Sequence, residues 1–362
     1  MIDSPNDPQL ESLCEELAGL SKRLDDSDLK QDLLPAWPTR QLELVAEAGV
    51  YRWFIPQSLG GLGWSSTDII SGYVKLSAAC LTTTFIITQR VAAIKRICAS
   101  SNQALLDRML PGLLSGAVTA TVGISHLTTS RRHVTNPVLR ATKTDDGFRI
   151  NGFSPWVTGG GGAAFLVMGA ELEDGQQVLF VVAKDAPGIT IDPGFQLVGL
   201  TASHTGAVHC NDVVIGQDSV LAGPVENVLT TGKTPTTGSF QTSALAIGLA
   251  QAAIEFVGRE SEKRPDLLDT FEALTGQLDE IKDRLFKLAA GIEICSNEEL
   301  RTGANSLVLR ATQSALVAAK GTGYVRGHPV GRWCQEALFF LVWSCPQSVL
   351  NANLCEFACV ES

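Results

Sequence analysis

The segment that decides the fold is Asn151-Gly-Phe-Ser-Pro-Trp-Val-Thr-Gly-Gly-Gly-Gly162. It follows a strand-like run, residues 139–150, that is interrupted at Asp145-Asp146-Gly147, and it precedes an apolar run at residues 164–169 that predicts a buried strand. Four consecutive glycines permit positive φ and carry no side chains, so a flat ligand could approach the backbone closely. Trp156 and Thr158 are two residues apart, and such residues point to the same side of an extended chain. The segment therefore predicts either a ligand-binding corner of a sheet or a purely structural hairpin.

The composition is that of a globular protein. The chain has 362 residues, of which 45% are hydrophobic and 18% charged, so two or three compact domains are expected. A formal net charge of -10 argues against nucleic-acid binding, which requires a basic face. The polar start does not resemble a signal peptide, and the longest apolar run, residues 244–258, is shorter than a membrane span requires. We therefore expect neither a nucleic-acid partner nor a membrane span.

The cysteines indicate the redox compartment. Nine of them are scattered along the chain without a C-x-x-C pair, and their number is odd. This pattern favours buried, reduced thiols over a disulfide framework or a zinc site. We therefore predict a cytoplasmic protein without a metal site.

The hydrophobic periodicity changes twice along the chain. Residues 8–118 repeat apolar side chains at helical spacing, with Asp7 before Pro8 as a plausible helix cap. Residues 119–225 are rich in Val, Thr, Ile and Gly with turn signals, which predicts roughly six to eight strands in an antiparallel barrel or sandwich. Helical periodicity returns near residue 242. We predict an α+β fold with an all-helical N-terminal domain (residues 1–118), a middle β domain (residues 119–232) and a C-terminal four-helix-type bundle (residues 233–362).

Four stretches resemble, in order, signatures of the acyl-CoA dehydrogenase family of flavoproteins. Residues 50–63 resemble its N-terminal Pro-x-x-x-Gly-Gly-x-Gly segment, and residues 150–160 resemble its I-N-G-x-K-x-W-I-T-N-G segment. Residues 198–215 resemble L-G-x-x-x-S-x-T-x-x-V-x-F-x-D-V-x-V, and residues 321–324 resemble the glycine loop after the third bundle helix. The resemblance covers nearly the whole chain and implies the family's fold of helices, β domain and helical bundle.

The resemblance also implies FAD as the cofactor. By the family's pattern, the indole of Trp156 and the hydroxyl of Thr158 would lie against the isoalloxazine, the hydroxyl near flavin N5. The loop at residues 121–125 would give backbone N–H groups to the flavin edge. The glycine turn at residues 321–323 would approach the diphosphate, often from a neighbouring subunit, because a Cβ there would block the contact. The implied cofactor-binding residues are Val122, Gly123, Ser125, Trp156, Val157, Thr158, Gly321, Thr322 and Gly323.

The residues that carry the family's reaction are missing. A Glu in a Tyr-Glu-Gly-Thr stretch removes a proton beside the thioester carbonyl, and the matching residues here are Trp343-Ser344-Cys345-Pro346. A serine cannot accept a proton near neutral pH without a base of its own. The alternative position of the Glu matches residues 241–244, which contain no acid, and the Arg that meets the CoA substrate matches Ala244. Of the family's Arg-Lys-Thr-Phe-Gly flavin contact, only Lys263 and Arg264 remain as phosphate partners. The catalytic residues are therefore unknown.

Several polar side chains are weaker candidates, and each has a structural alternative. His126 and His328 stand beside the flavin loop and the glycine loop, and Cys345 would need a neighbour that lowers its pKa to act as a nucleophile. Glu336 matches an acid of the family that is usually structural. Gln89 and Arg90 lie on a helix that is expected to face the substrate cavity. Ser203 and Thr205 either contact the cofactor or join strands by hydrogen bonds.

Three functions remain open from the sequence. The first is an FAD-dependent oxidoreductase with a small-molecule substrate, possibly an acyl-CoA. The second is a flavin-dependent monooxygenase of the same fold, which needs no α-carbon base. The third is a non-catalytic flavin- or ligand-binding member. The apolar segment Leu338-Phe-Phe-Leu-Val-Trp343 predicts either a homodimer or homotetramer, or a helix buried within one subunit.

Overall fold

The computed structural model describes residues 1–22, 34–128, 138–230, 240–343 and 345–360. Helices occupy the first and last parts of the described chain and strands occupy the middle. The helices are α1 (Pro8–Ser21), α2 (Thr39–Glu47), α3 (Ser66–Ala79), α4 (Leu81–Cys98), α5 (Gln103–Ser115), α6 (Ser125–Thr128), α7 (Phe240–Ser261), α8 (Leu268–Ala289), α9 (Asn297–Gly323), α10 (Pro329–Leu338) and α11 (Gln347–Ala358). The strands are β1 (Ala120–Gly123), β2 (Leu139–Thr144), β3 (Gly147–Thr158), β4 (Phe165–Glu171), β5 (Gln177–Ala183), β6 (Ile189–Ile191), β7 (Thr205–Gly216) and β8 (Val220–Val225). The predicted α+β fold class is confirmed.

Local sequence signals explain where several helices begin and end. The Asp7 carboxylate accepts a hydrogen bond from the Gln9 N–H at 2.9 Å, so the predicted cap of α1 is confirmed. Gly116 ends α5 in the left-handed conformation, with φ of 75°, which a glycine adopts without strain. Ser296 and Glu299 form a capping box at the start of α9.

The strands form one mixed sheet. Its order is β6-β7-β3-β2-β4-β5-β8, and β1 pairs with β4 off this path. Most pairs are antiparallel, including the β2–β3 hairpin that turns at the predicted Asp145-Asp146-Gly147 site. The β1–β4 pair is parallel, from Ala120 opposite Phe165 to Gly123 opposite Met168. β2 and β4 also pair in parallel, with Arg140 opposite Glu171. The predicted antiparallel arrangement therefore holds for the other strand pairs but not for β1–β4 and β2–β4.

The pairing of β3 with β7 brings two threonines together. Its register shifts between Ile150 and Gly152 and again between Ser154 and Val157. Beyond the second shift, Thr158 lies directly opposite Thr205. The shifts coincide with Gly152 and Pro155 of the motif, residue types that are common at bulges. They decide which side chains face each other at the end of the sheet.

Two hydrophobic cores hold the described chain together. The larger core lies among the helices and continues onto one face of the sheet through Val122, Val167 and Val181. The smaller core lies between the strands and contains Ile150, Val157 and other side chains of β2, β4, β5 and β7. One continuous core therefore joins the helices to the sheet, and the division into three domains stays a prediction.

Helix α7 accounts for the longest apolar run. It has 22 residues, longer than the predicted apolar run, and it is the one helix among the described residues with the length and composition of a membrane span. Of its most apolar window, 72% is buried inside the protein. The apolar composition of α7 is therefore explained by its packing in the bundle.

Candidate functional site

Hydroxyl side chains meet at one end of the sheet. Thr158 ends β3, Thr205 begins β7, Ser203 ends the 3-10 turn before β7, and Thr121 lies in β1. Trp156 lies on β3 two residues before Thr158. We call these five residues the sheet corner. It coincides with the motif that the sequence indicates as the site.

Three of these hydroxyls form a chain. The Thr158 Oγ1 atom lies 3.0 Å from Thr205 Oγ1, and Thr205 Oγ1 lies 2.9 Å from Ser203 Oγ. The three residues are 4%, 5% and 0% exposed, respectively. The Thr121 hydroxyl donates to the Thr158 carbonyl at 2.8 Å. Among the described residues, these side chains are therefore bonded to hydroxyls and one backbone carbonyl, with no carboxylate among their partners.

Trp156 presents a half-exposed indole beside this chain. It is 53% exposed, and its ring centroid lies 5.0 Å from that of Phe195, which is 39% exposed. The Phe195 N–H donates to the Thr205 carbonyl at 2.8 Å, so Thr205 fixes the aromatic neighbour and also joins the hydroxyl chain. Phe195 escaped the sequence analysis because it follows Pro193-Gly194 in a loop with no recognisable motif.

The glycine-rich turn is covered by a tryptophan of the same chain. A Cβ atom on Gly159 would lie 2.4 Å from Trp37 Cη2, and one on Gly162 would lie 2.6 Å from Trp37 Cε2. Trp37 also packs against His204, whose Nε2 lies 2.7 Å from the Pro35 carbonyl. The flat group that approaches Gly159 and Gly162 is therefore the Trp37 indole, which corrects the expectation of a ligand at these two glycines.

The predicted loop after β1 lies against the sheet. Val122 and Val157 are 6% and 1% exposed, and their side chains contribute to the two cores and do not present a surface to a cofactor. A Cβ on Gly123 would lie 3.2 Å from Ser154 Oγ, a fully buried hydroxyl without a partner among the described residues. Ser125 begins the short helix α6.

The predicted glycine turn lies at the end of α9. Apart from its chain neighbours and the adjoining backbone of α9, no heavy atom comes within 4 Å of the Cβ position on Gly321, so other elements leave this side of the backbone open. The Thr322 hydroxyl donates to the Ala319 carbonyl, and Gly323 is buried. The Arg264 guanidinium donates to the Ala318 carbonyl at 2.9 Å, which brings one predicted phosphate partner to the turn.

Both histidine candidates make structural contacts. His126 Nε2 lies 2.7 Å from the Gly169 carbonyl, so Nε2 donates and Nδ1 carries the lone pair. Burial lowers the pKa of His126, and the hydrogen bond to Gly169 opposes this shift. His328 accepts the Val330 N–H at Nδ1 and caps α10. Neither observation gives these histidines a catalytic role.

The other charged candidates are also held in the interior. Arg90 is buried and donates to the Tyr51 hydroxyl at 3.0 Å, so it does not point to solvent, and Gln89 donates to the Thr88 hydroxyl. Glu336 is buried, accepts from the Thr82 hydroxyl at 3.0 Å, and lies 3.7 Å from the Arg332 guanidinium. Arg90 and Glu336 therefore form parts of the core.

The residues around the sequence position of the missing base, Trp343 and Cys345, lie beside a buried cation, Arg301. Ser344 lies outside the described residues. Arg301, whose pKa is lowered to about 10 by burial, donates to the carbonyls of Phe340 and Trp343 at 3.3 and 3.1 Å. Burial raises the pKa of Cys345, and the charge of Arg301 offsets only part of this effect, so Cys345 lacks the lowered pKa of a nucleophile.

Two cavities lie away from the sheet corner. One, of about 590 Å³, is lined by the α8–α9 connection and by Phe240. The other, of about 410 Å³, lies between α1 and α2 beside Arg40. Neither is lined by a predicted site residue.

The sheet corner has features that suit a planar, polar-edged ring system such as a flavin. The exposed indole of Trp156 offers a stacking face, as aromatic side chains do for flat rings. Thr158 offers a hydroxyl that is already fixed on its inner side. At the glycine turn of residues 321–323, Gly321 leaves backbone open to a phosphate. The two parts therefore fit the two ends of a flavin nucleotide, although they belong to different places in one chain.

Comparisons with known proteins support the resemblance. No family model matches the chain. It is 21% identical over 330 residues to a probable acyl-CoA dehydrogenase of Bacillus subtilis (strain 168), covering 83% of this chain and 84% of the relative. Among solved structures, it matches butyryl-CoA dehydrogenase from Megasphaera elsdenii with a TM-score of 0.78 and 18% identity, over 98% of both chains. It matches the FMN-bound protein TdsC from Paenibacillus sp. A11-2 with a TM-score of 0.78 and 16% identity, again over 98% of both chains.

The resemblance and the fold predicted from the motifs are confirmed. The chain is similar in sequence to acyl-CoA dehydrogenases and has the acyl-CoA dehydrogenase fold. At these identities the matching structures establish the fold alone. The reaction and the cofactor are therefore matters for proposal.

Proposed function

We propose that this protein is a flavin-dependent oxidoreductase that binds FAD at the sheet corner. The observation that carries the proposal is the half-exposed indole of Trp156 beside the internally bonded hydroxyl of Thr158. Val122, Gly123, Ser125 and Val157 would contribute through the backbone of the neighbouring strand ends. The similarity to acyl-CoA dehydrogenases supports this assignment.

The roles of the residues follow from their chemistry. A bound flavin accepts hydride at N5, and the chain supplies its placement. Trp156 would stack on the ring, because stacking removes the exposed apolar face of its indole from water. Thr121 fixes the carbonyl of Thr158 and Thr205 fixes its hydroxyl, so Thr158 would meet the ring with little loss of conformational freedom.

The diphosphate would be held by a second copy of the chain. Gly321, Thr322 and Gly323 lie at the end of α9. In the family that the chain resembles, this turn often approaches the diphosphate held by a neighbouring subunit. The nearby cations Lys263 and Arg264 suit a diphosphate, which favours FAD over FMN. We therefore propose a homodimer or homotetramer in which one protomer's turn completes the site of another.

The proposal is tested on the purified protein by its visible spectrum, by chromatography of the flavin released on denaturation, and by the molar mass in solution. We expect bound FAD and an oligomer. The variant Trp156→Ala should lose flavin, and Trp37→Phe, at the aromatic residue that fills the glycine turn, serves as the control that keeps it. Protein that stays colourless and binds neither added FAD nor FMN would remove the proposal.

The substrate of the leading proposal is a small molecule that need not be a CoA thioester. Ser344 stands where the family's Glu removes the α-proton, and residues 241–244 supply no acid. A panel of acyl-CoA thioesters that bleaches the bound flavin would show that another group acts as the base. If no thioester bleaches the flavin, and the reduced flavin does not react with oxygen, a non-catalytic member of the family would instead be favoured.

Restoring the acid tests this assignment directly. In Ser344→Glu, we expect acyl-CoA thioesters to bleach the flavin roughly a hundredfold faster than in the wild type, within the range that one general base provides. Ser344→Gln is the matched control, because it has similar size and cannot accept the proton. Equal rates in the Glu and Gln variants would show that Ser344 does not occupy the position of the base.

A flavin-dependent monooxygenase is the second candidate. It is favoured by the hydroxyl-only environment of Thr158 and by the absence of an acid at both family positions in the sequence, since oxygen transfer needs no α-carbon base. We expect such an enzyme to consume oxygen rapidly when an added reductase reduces its flavin. Reduced protein that is inert to oxygen would exclude this candidate.

A further inference from the structure

A chain of hydroxyl groups runs from Thr158 into the interior. Ser203, Thr205 and Thr158 are joined by oxygen–oxygen distances of 2.9 and 3.0 Å, within the range of O–H···O hydrogen bonds. All three side chains are almost fully buried. A buried hydroxyl loses its hydrogen bonds to water, so this arrangement is stable only if each group finds a partner within the chain.

The chain can be oriented in two directions. Each hydroxyl has one proton to donate and lone pairs to accept with. In one direction Ser203 donates to Thr205 and Thr205 donates to Thr158, which leaves the Thr158 proton free for a group outside. In the other direction Thr158 donates to Thr205 and Thr205 donates to Ser203, which leaves Thr158 only able to accept from outside. Both directions keep the two internal hydrogen bonds.

We propose that Ser203 and Thr205 are positioning residues that let Thr158 match both redox states of the flavin. The inference rests on the proposed function and on the family resemblance, which implies that the Thr158 hydroxyl lies near flavin N5. Oxidised N5 has a lone pair and needs a donor, whereas reduced N5 carries a proton and needs an acceptor. Reversing the hydroxyl chain converts Thr158 from donor to acceptor with no covalent bond made or broken.

The structure supports the ability of the chain to act as a unit. Thr158 and Thr205 are opposite each other in the β3–β7 register, and the Thr121 hydroxyl holds the Thr158 carbonyl at 2.8 Å. Ser203 is held by the hydrogen bond from its own N–H to the Leu200 carbonyl at 2.9 Å. The backbone beside the hydroxyls is therefore held in place, and the oxygen atoms hold one another at hydrogen-bond distance, so a reversal needs only the protons to turn.

Removing the middle hydroxyl should weaken the binding of reduced flavin. In Thr205→Val, a Thr158 hydroxyl that accepts from reduced N5 has no inner acceptor for its own proton, whereas it can still donate to oxidised N5. We therefore expect the ratio of the Kd for reduced flavin to the Kd for oxidised flavin to rise roughly three- to tenfold, the value of one hydrogen bond. Thr205→Ser keeps the hydroxyl and should retain the wild-type ratio. Ser203→Ala should raise the ratio in the same direction, because the Thr205 proton then lacks an acceptor.

The test uses the flavin-loaded protein, with the two Kd values measured for each variant and folding checked by urea unfolding. If Thr205→Val fails to fold, Ser203→Ala carries the same comparison. Flavin-binding variants that all keep the wild-type ratio would overturn this inference and leave the proposed function standing. A wild-type protein that binds no flavin in either state would overturn both.

Discussion

Gly162 is adjacent to an indole that occupies the space of a side chain. A Cβ there would lie 2.6 Å from Trp37 Cε2, and the φ of Gly162 is not in the left-handed region, so the conflict is purely steric. We expect Gly162→Ala to lower the free energy of unfolding by about 1–3 kcal/mol, as overpacking does. Urea unfolding measures the change.

The neighbouring glycine provides the control for this prediction. A Cβ on Gly161 would have no heavy atom within 4 Å, so Gly161→Ala should change stability by less than about 0.5 kcal/mol. Combining Gly162→Ala with Trp37→Ala should remove the steric part of the loss. Equal effects at positions 161 and 162 would contradict the contact.

His126 links a buried group to pH. Burial lowers the pKa of His126 in the folded protein. The unfolded chain therefore binds this proton at a higher pH than the folded protein does. The contribution of neutral His126 to the free energy of unfolding is therefore fully present above the ordinary histidine pKa of about 6.5. It falls as the pH drops from there towards the pKa of His126 in the folded protein. Because one proton is involved, the free energy of unfolding changes by at most about 1.4 kcal/mol per pH unit.

The substitution His126→Gln isolates this effect. A Gln amide keeps an N–H for the Gly169 carbonyl but does not titrate. We expect the wild type to lose more stability than the variant when the pH falls from about 7 to about 5, a range that brackets the ordinary histidine pKa. Parallel pH profiles in urea unfolding would show that His126 does not titrate on unfolding.

Residue-scale prediction succeeded where the signal is local. Asp7 caps α1 because its carboxylate and the Gln9 N–H that donates to it lie two residues apart in sequence. The partner of Gly162 could not be predicted, because Trp37 is 125 residues away in sequence and no local pattern joins them. Thr205 was found only within a family motif, and its bond to Thr158 depends on a register shift that the sequence does not specify.

At the scale of the element, α9 is kinked near its end by a strained residue. Lys320 has φ of 55° and ψ of -149°, a region that side-chain-bearing residues rarely adopt. It stands immediately before Gly321, the proposed phosphate contact. We expect Lys320→Gly to raise the free energy of unfolding by about 1 kcal/mol, because glycine adopts this conformation without strain.

Charge and conformation are separated by a second variant at the same position. Lys320→Ala removes the charge but keeps a Cβ, so it should not stabilise the protein. Urea unfolding without flavin measures both variants. A gain that is equal in the Gly and Ala variants would assign the effect to charge rather than to backbone strain.

Element order was predictable because periodicity is averaged over many residues. The helical and strand regions, and the β2–β3 turn, follow from hydrophobic spacing and from Asp145-Asp146-Gly147. The parallel β1–β4 pair did not follow, because pairing between distant strands depends on tertiary packing and not on a turn. The strand partners therefore had to come from the structure.

At the scale of the whole molecule, one buried arginine joins the first helix to the bundle. Arg332 donates to the Ser21 carbonyl at 2.6 Å and lies 3.7 Å from Glu336, which accepts from Thr82 on α4. We expect Arg332→Met to lower the free energy of unfolding by about 3–5 kcal/mol, because it removes one partner of a buried charge pair.

The second partner gives a diagnostic combination. Adding Glu336→Gln to Arg332→Met removes the uncompensated carboxylate and keeps an acceptor for Thr82. The double variant should therefore be more stable than Arg332→Met alone. Strictly additive losses in urea unfolding would show that the two side chains do not interact.

The Arg332–Ser21 bond has a consequence for synthesis on the ribosome. The two residues are 311 positions apart. At translation rates of roughly 5–20 residues per second, about 15–60 s pass between the emergence of Ser21 and that of its partner. Throughout that interval the carboxyl end of α1 lacks its hydrogen bonds from Arg332, so the nascent protein reaches its final arrangement only after most of the chain has been made.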